Sequence, residues 1–162
     1  MKKARPLAVG DIVPIAEGRT DEGTPISLAD FKGRALAVFL LGSELNRTAR
    51  ALLKHLAKST PEFLALECSP IAVSTEPAEM LAEVRNAEGL PFLMISDTEL
   101  ALHRAFAGAP PAGAAGAWLV DKKGAIVAAV PPLGYKEQIS ATLAALARVR
   151  PQTPPPAEAN AE

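Results

Sequence analysis

Apolar and polar positions alternate along the chain in blocks that predict strands and helices in turn. An unbroken apolar run after turn residues, such as the run that follows Lys32-Gly33, is typical of a buried strand. Apolar residues that return every three or four positions, as across residues 45–57, indicate an amphipathic helix. The pattern predicts strands at residues 36–41, 70–74, 92–95, 117–120 and 125–130. It predicts helices at residues 45–57, 77–89, 100–106 and Tyr135–Val149.

The order of these elements predicts an α/β fold. Strands that alternate with helices pair in parallel, because each helix forms the crossover between two strands. Near the end of the chain, the segment Asp121-Lys-Lys-Gly124 is a turn between two strands and adds an antiparallel hairpin. We therefore expect a mixed central sheet with helices on both faces, the layout of thioredoxin-like folds. Periodicity alone leaves a small doubly wound fold open.

Length and composition predict one folded domain followed by a C-terminal segment of different composition. The chain has 162 residues, of which 49% are hydrophobic, and this suits a single domain with a sizeable core. Residues 150–162 contain four prolines and no large apolar side chain, so we expect a disordered tail there. With an N-terminal arm at residues 1–8, the predicted domain covers residues 9–149.

The charge balance argues against two classes of partner. The formal net charge is −1, from 17 basic and 18 acidic residues, so no global field attracts nucleic acid or an anionic membrane. No apolar run reaches the roughly 18 residues that a membrane helix needs. The basic start at residues 1–6 is followed by a segment too polar for a secretory signal. The sequence therefore predicts a cytoplasmic protein.

The lone cysteine and two histidines limit the chemistry that this chain can perform. One cysteine, Cys68, can form neither an intramolecular disulfide nor a cysteine-based metal cluster. His55 and His103 are far apart in sequence, so we expect no metal and no other cofactor, and we place His103 on a helix surface. No basic residue flanks Cys68 to lower its pKa, which favours a structural residue over a sensor thiol.

Four segments resemble the peroxiredoxins of the alkyl hydroperoxide reductase and thiol-specific antioxidant family, in family order and at family spacing. The segments are Gly10-Asp-Ile-Val-Pro14, Gly23-Thr-Pro-Ile-Ser-Leu-Ala-Asp-Phe-Lys-Gly33, Leu90-Pro-Phe-Leu-Met-Ile-Ser-Asp97 and Trp118-Leu-Val-Asp-Lys-Lys-Gly124. The resemblance implies a peroxiredoxin-type thioredoxin fold. The matched residues belong to turns and to the core, so they argue for the fold, and the function has to be argued from the site.

The same resemblance implies a site that this sequence does not reproduce. The family places a Pro-x-x-x-Thr-x-x-Cys pattern after the first core strand and an arginine on a later strand. The thiolate lies at a helix N-terminus, where the helix dipole lowers its pKa, and it attacks the peroxide. At family spacing these four positions fall on residues without the required groups: Gly42, Asn46, Ala49 and Ala115.

Two further sets of residues near this position have candidate roles. Arg47, Arg50 and Lys54 recur at helical spacing and form a basic stripe that could bind an anion or an acidic partner. An ordinary solvated helix face explains the same spacing. A capping role at the start of the helix is the better interpretation of Ser43 or Asn46, because neither has a recognisable base to activate it.

Three hypotheses for function follow. The main one is a peroxiredoxin-like protein without the peroxidatic cysteine, which acts as a binding, regulatory or structural partner of another protein or forms a homodimer. The second is a thiol-dependent antioxidant oxidoreductase that uses Cys68 in an unusual position. The third is a carrier that holds a small ligand in the vacated pocket between Gly42 and Ala49. Whether the protein is an enzyme is left open, although loss of the cysteine and arginine argues against an active peroxidase.

Overall fold

The computed structural model describes residues 6–13, 15–42, 45–107 and 116–149. The strands in these ranges are β1 Glu17–Thr20, β2 Pro25–Ser27, β3 Ala35–Leu40, β4 Cys68–Ser74, β5 Leu93–Ser96, β6 Gly116–Val120 and β7 Ile126–Val130. The α-helices are α1 Arg47–Ala65, α2 Ala78–Glu88, α3 Ala101–Ala107 and α4 Tyr135–Val149, and a 3-10 helix spans Leu28–Phe31. The predicted tail at residues 150–162 lies outside the described residues.

The strands form one mixed sheet in the order β2-β1-β5-β4-β3-β6-β7. Strand β4 pairs in parallel with β3 on one side and with β5 on the other. The pairs β3–β6 and β6–β7 are antiparallel, which confirms the predicted hairpin around the turn that precedes β7. The pairs of β1 with β2 and with β5 are antiparallel as well. The predicted mixed sheet is therefore confirmed.

Side chains of the central strand β3 alternate between two apolar cores, one on each face of the sheet. Ala37 and Phe39 pack into the core that includes buried residues of α1, α2 and α4. Leu36, Val38 and Leu40 point to the other face and pack with residues of the 3-10 helix and α3. Because successive residues of a strand face opposite sides, a strand that is apolar throughout requires cover on both faces.

The structure extends several predicted elements and adds a hairpin that the pattern did not predict. Helix α1 continues past residue 57 through Pro61 to Ala65, because Phe63 in its last turns is fully buried and contacts Phe39 edge-on, with ring centroids 6.0 Å apart. The β1–β2 hairpin is short and only two of its seven strand residues are buried, so it carries little hydrophobic signal. None of the helices in the described ranges is both long and apolar enough to span a bilayer.

Two leucines of α1 test how the sheet and this helix depend on each other. Leu56 is fully buried, whereas Leu64 on the same helix is 56% exposed. Replacing Leu56 with Ala should lower the free energy of unfolding by about 2–5 kcal/mol, because it leaves a cavity in the core. Replacing Leu64 with Ala should change it by no more than about 0.5 kcal/mol. Urea unfolding monitored by circular dichroism measures both, and equal losses would contradict this packing.

Candidate functional site

The candidate site lies where the chain leaves the carboxyl end of β3 and enters α1. Gly42 follows the strand with a φ of 72°, a backbone conformation that favours glycine. Asn46 then caps the helix, since its side-chain oxygen accepts a hydrogen bond from the Ala49 N–H at 2.8 Å. The predicted capping role of Asn46 is confirmed, while Ser43 lies outside the described residues.

A cavity of about 130 Å³ opens beside this first turn of α1. Its lining includes two of the four residues that the resemblance placed at the family's functional positions, Asn46 and Ala49. Gly116, the neighbour of Ala115, also lines it, although Ala115 itself lies outside the described residues. Gly42 does not line the cavity, but the preceding residue, Leu41, does. The cavity thus brings together the end of β3, the start of α1, the start of β6 and the segment around the start of α4.

Gln138 of α4 is a residue of this cavity that the sequence did not reveal. Its side-chain oxygen accepts a hydrogen bond from the Leu133 N–H at 2.8 Å. Its Nε2 atom is buried and has no hydrogen-bond partner among the described residues, although only 4% of the residue is exposed. Gln138 follows the predicted start of α4 by three positions, where a polar residue in sequence suggests only a solvated face.

A buried pair of polar residues supports the loop that leads into α1. The Asp97 carboxylate accepts hydrogen bonds from the Leu102 and His103 N–H groups at 3.0 and 2.7 Å, at the start of α3. His103 Nδ1 lies 2.8 Å from Asp97 Oδ2, and His103 Nε2 lies 3.1 Å from the Gly42 nitrogen. Because Gly42 can only donate, Nε2 accepts and Nδ1 carries the proton.

The interpretation of His103 as a surface histidine is therefore wrong. Its side chain is fully buried, as is that of Asp97 apart from 1%. The helix α3 directs this histidine inward because it is placed between the buried residues Leu102 and Phe106 on the side facing the sheet. Its role is to position Gly42, and thereby the start of the path to α1.

Cys68 lies at the opposite end of the central strands from the start of α1. It is the first residue of β4 and is paired with Ala35, the first residue of β3, whereas α1 follows the last residue of β3. At ~3.3 Å per residue, the two ends of β3 are roughly 17 Å apart. Cys68 is 1% exposed, and burial raises the pKa of its thiol from 9.0 to about 12. A thiol in this environment is protonated and unreactive at neutral pH.

The three predicted cations of α1 lie together on the outer side of that helix. Arg47, Arg50 and Lys54 line one shallow depression with Glu88 of α2. Lys54 Nζ lies 3.7 Å from a Glu88 carboxylate oxygen, and Arg50 donates from Nε to the Leu45 carbonyl at 3.2 Å. The stripe is real, but two of its three members have partners within the protein. Among the described residues, no group of three His, Cys, Asp or Glu side chains could hold a metal ion.

Comparison with known proteins identifies the family to which this chain belongs. The profile of the AhpC/TSA family matches residues 9–129, and the chain therefore belongs to the AhpC/TSA family. Peroxiredoxin Bcp of Bacillus subtilis is 25% identical over 100 residues, which are 62% of this chain and 64% of that protein. The match thus spans less than two thirds of the relative.

Solved peroxiredoxin structures have the same fold. Peroxidoxin BcpB from Mycobacterium tuberculosis superposes with a TM-score of 0.78 at 17% identity, covering 88% of this chain and 98% of the other. Peroxiredoxin Q from Xanthomonas campestris gives a TM-score of 0.76 at 20% identity, with the same coverage. These structures confirm the predicted peroxiredoxin-type thioredoxin fold, and at such identities they show the fold alone.

The buried Asp97 gives a direct test of the support beneath Gly42. Replacing Asp97 with Ala leaves two α3 N–H groups and His103 Nδ1 without their acceptor, so we expect the free energy of unfolding to fall by about 3–5 kcal/mol. Asp30 is a matched control, because this exposed residue accepts, within the part of the chain that the structure describes, a single hydrogen bond from the Ser27 N–H. Asp30→Ala should cost about 1 kcal/mol. A small loss at Asp97 in thermal or urea unfolding would show that the pair contributes little.

The Cys68 thiol and a thiol placed at the start of α1, at the opposite end of the central strands, should differ in reactivity. Because burial raises the pKa of the Cys68 thiol to about 12, the thiolate is scarce at pH 8, so iodoacetamide should modify it only after unfolding. In a Cys68→Ser background, Ala49→Cys places a sole thiol beside the cavity at the helix start. That thiol should be alkylated in the native protein at least about tenfold faster than Cys68. Mass spectrometry after timed labelling measures both rates, and equal rates would contradict the difference.

Proposed function

We propose that this AhpC/TSA family member has lost the peroxidatic cysteine, with Ala49 at its position, and acts as a non-catalytic binding, regulatory or structural protein. A peroxidatic thiolate requires both stabilisation of its charge and access to peroxide. The first turn of α1 supplies the helix dipole and lies beside a cavity, but Ala49 brings no nucleophile, acid or base to it.

The observation that carries this proposal is the location of Cys68. It is the single cysteine of the sequence, and it is buried at the start of β4, at the end of the strands opposite to the cavity. No side-chain rotation can span the length of β3, which separates Cys68 from the cavity. Because burial raises the pKa of the Cys68 thiol to about 12, the thiolate that attacks a peroxide is scarce as well.

The same observation weighs against the alternative in which Cys68 serves as a relocated catalytic thiol. That alternative requires a lowered pKa and partial exposure, and the described structure gives the opposite on both counts. The ligand-carrier alternative is supported by the cavity beside Ala49, which is open to a small molecule. A protein partner or a homodimer, and a location in the cytoplasm, stay predictions from the sequence.

Peroxide consumption with a dithiol reductant tests the proposed function. We expect wild type, Cys68→Ser and Cys68→Ala to show no turnover above buffer, while an active peroxiredoxin assayed in parallel does. Circular dichroism verifies that the variants are folded. Turnover by wild type that is lost in both variants would establish Cys68 as a catalytic thiol. Turnover that all three proteins retain would also overturn the proposal and would point to chemistry without a thiol.

A further inference from the structure

We propose that a second cavity, at the amino ends of β3 and β4, binds an uncharged and mainly aliphatic small molecule such as a medium-chain alcohol. The cavity lies between the ends of α1 and α4 and the turn that joins β6 to β7, and Cys68 is part of its wall. Ala49 and the start of α1 lie at the opposite end of β3. Binding in this second cavity is therefore independent of any chemistry at Ala49.

The size and the walls of this cavity suit a small organic molecule. Its volume is about 430 Å³, compared with about 130 Å³ for the cavity beside Ala49. Small-molecule sites in proteins commonly have ~300–1,000 Å³. Nine of the thirteen residues that line it are apolar, with Cys68 counted among them because a protonated cysteine packs as a small apolar residue. Four of the nine are only half-buried: Ala35, Leu66, Val127 and Val149. An aliphatic ligand that covers them removes apolar surface from water, which favours its binding.

The four polar residues of the lining have their charges in water or in existing hydrogen bonds. Glu67, Lys122 and Lys123 are exposed. Asp121 Oδ1 accepts hydrogen bonds from the Lys123 and Ala125 N–H groups, each at 2.9 Å. Two acidic and two basic residues balance one another, so the rim of the cavity gives neither an anion nor a cation a net attraction. Exposed lysines also lay their apolar stems along neighbouring apolar surface while the ammonium groups stay hydrated.

The helices that border the cavity end there, and this disfavours a negatively charged ligand. Leu66 is the C-cap of α1, and Val149 is the last residue of α4. A helix C-terminus carries the negative end of the helix dipole and presents carbonyl groups, whereas anions bind to the N–H groups at a helix start. A cation in the cavity loses its hydration and faces two lysines. A hydroxyl group avoids both penalties and can donate to a carbonyl.

The backbone of Glu67 is strained at the rim of this cavity. Glu67 directly follows the C-cap of α1 and has a φ of 61°, the left-handed conformation in which glycine is the usual residue at this position. Strained residues cluster at ligand sites, where the surrounding contacts hold them in place. A glutamate in place of glycine adds a side chain to the lining of the cavity, which a helix end alone does not require.

Titration of the full-length protein with octanol, with leucine and valine methyl groups labelled with ¹³C, tests the proposal. Seven of the nine apolar lining residues are leucine or valine, so their methyl resonances report directly on the cavity. Octanol should shift the methyl resonances of Leu66, Val127 and Val149 in a saturable manner. Octanoate and octylammonium have the same chain length with a charged head group, and each should bind more weakly than octanol.

Two variants fill the cavity, and a third on the same strand leaves it unchanged. Val127→Phe places a ring in the space, so we expect octanol to bind at least about tenfold more weakly. Ala129 also belongs to β7, but it is exposed and does not line the cavity, so Ala129→Phe should bind octanol as wild type does. Ala35→Leu fills the cavity from β3, and it replaces Val127→Phe in the test if circular dichroism shows that the latter does not fold.

Four results would overturn the proposal. The first is a wild type without saturable shifts, and the second is tighter binding of octanoate or octylammonium than of octanol. The third is a set of shifts confined to Leu41, Leu52 and Leu133, which line the cavity beside Ala49, or unchanged binding in the variants that fill the second cavity. The fourth is seen without ligand: nuclear Overhauser contacts from residues 150–162 to the cavity methyl groups, or methyl shifts that depend on protein concentration. Either would show that the chain itself or a second copy occupies the cavity.

Discussion

The hydrogen-bonded pair Asp97–His103 holds together the carboxyl ends of the strands at which the candidate site lies. Asp97 follows β5, and its own N–H donates to the Ser74 carbonyl at the end of β4 at 2.8 Å. Through His103, the same carboxylate reaches the Gly42 N–H beyond the end of β3. A buried carboxylate is tolerated only when several donors surround it, and here three donors do so. Through its backbone N–H and its side chain, Asp97 therefore ties together the carboxyl ends of three adjacent strands.

Ligands of α/β proteins bind at the carboxyl ends of parallel strands, because loops and helix N-termini meet there. In this chain the cavity beside Ala49 lies at that edge, and Cys68 lies at the other. The fold therefore keeps the electrostatic part of a thiolate site, a helix N-terminus over a small cavity, while the chain places its thiol where burial raises the pKa to about 12. The distance between the helix start and the thiol, rather than loss of the cavity, argues against peroxidase chemistry.

Elements with a long apolar signal could be predicted from the sequence, and features set by contacts between distant residues could not. Helix α4 was predicted at the bounds that the structure gives, Tyr135–Val149, since its apolar stripe is regular. The Asn46 cap follows from residue type and position at a helix start. His103 was expected on a helix surface and Gln138 was not singled out, because their burial depends on Gly42 and on the cavity, which only the tertiary fold brings to them. Local periodicity contains no information about such partners.

The start of α1 receives its hydrogen-bond partners from within the chain. The Asn46 side chain accepts the Ala49 N–H at 2.8 Å, and the Glu76 carboxylate accepts the Leu45 N–H at 3.0 Å. A carboxylate therefore already lies beside the positive end of the helix dipole, where a negative charge is stabilised. Because the chain satisfies this helix start with its own groups, and Ala49 adds neither a charge nor a hydrogen-bonding side chain, the local structure is stable without a thiolate.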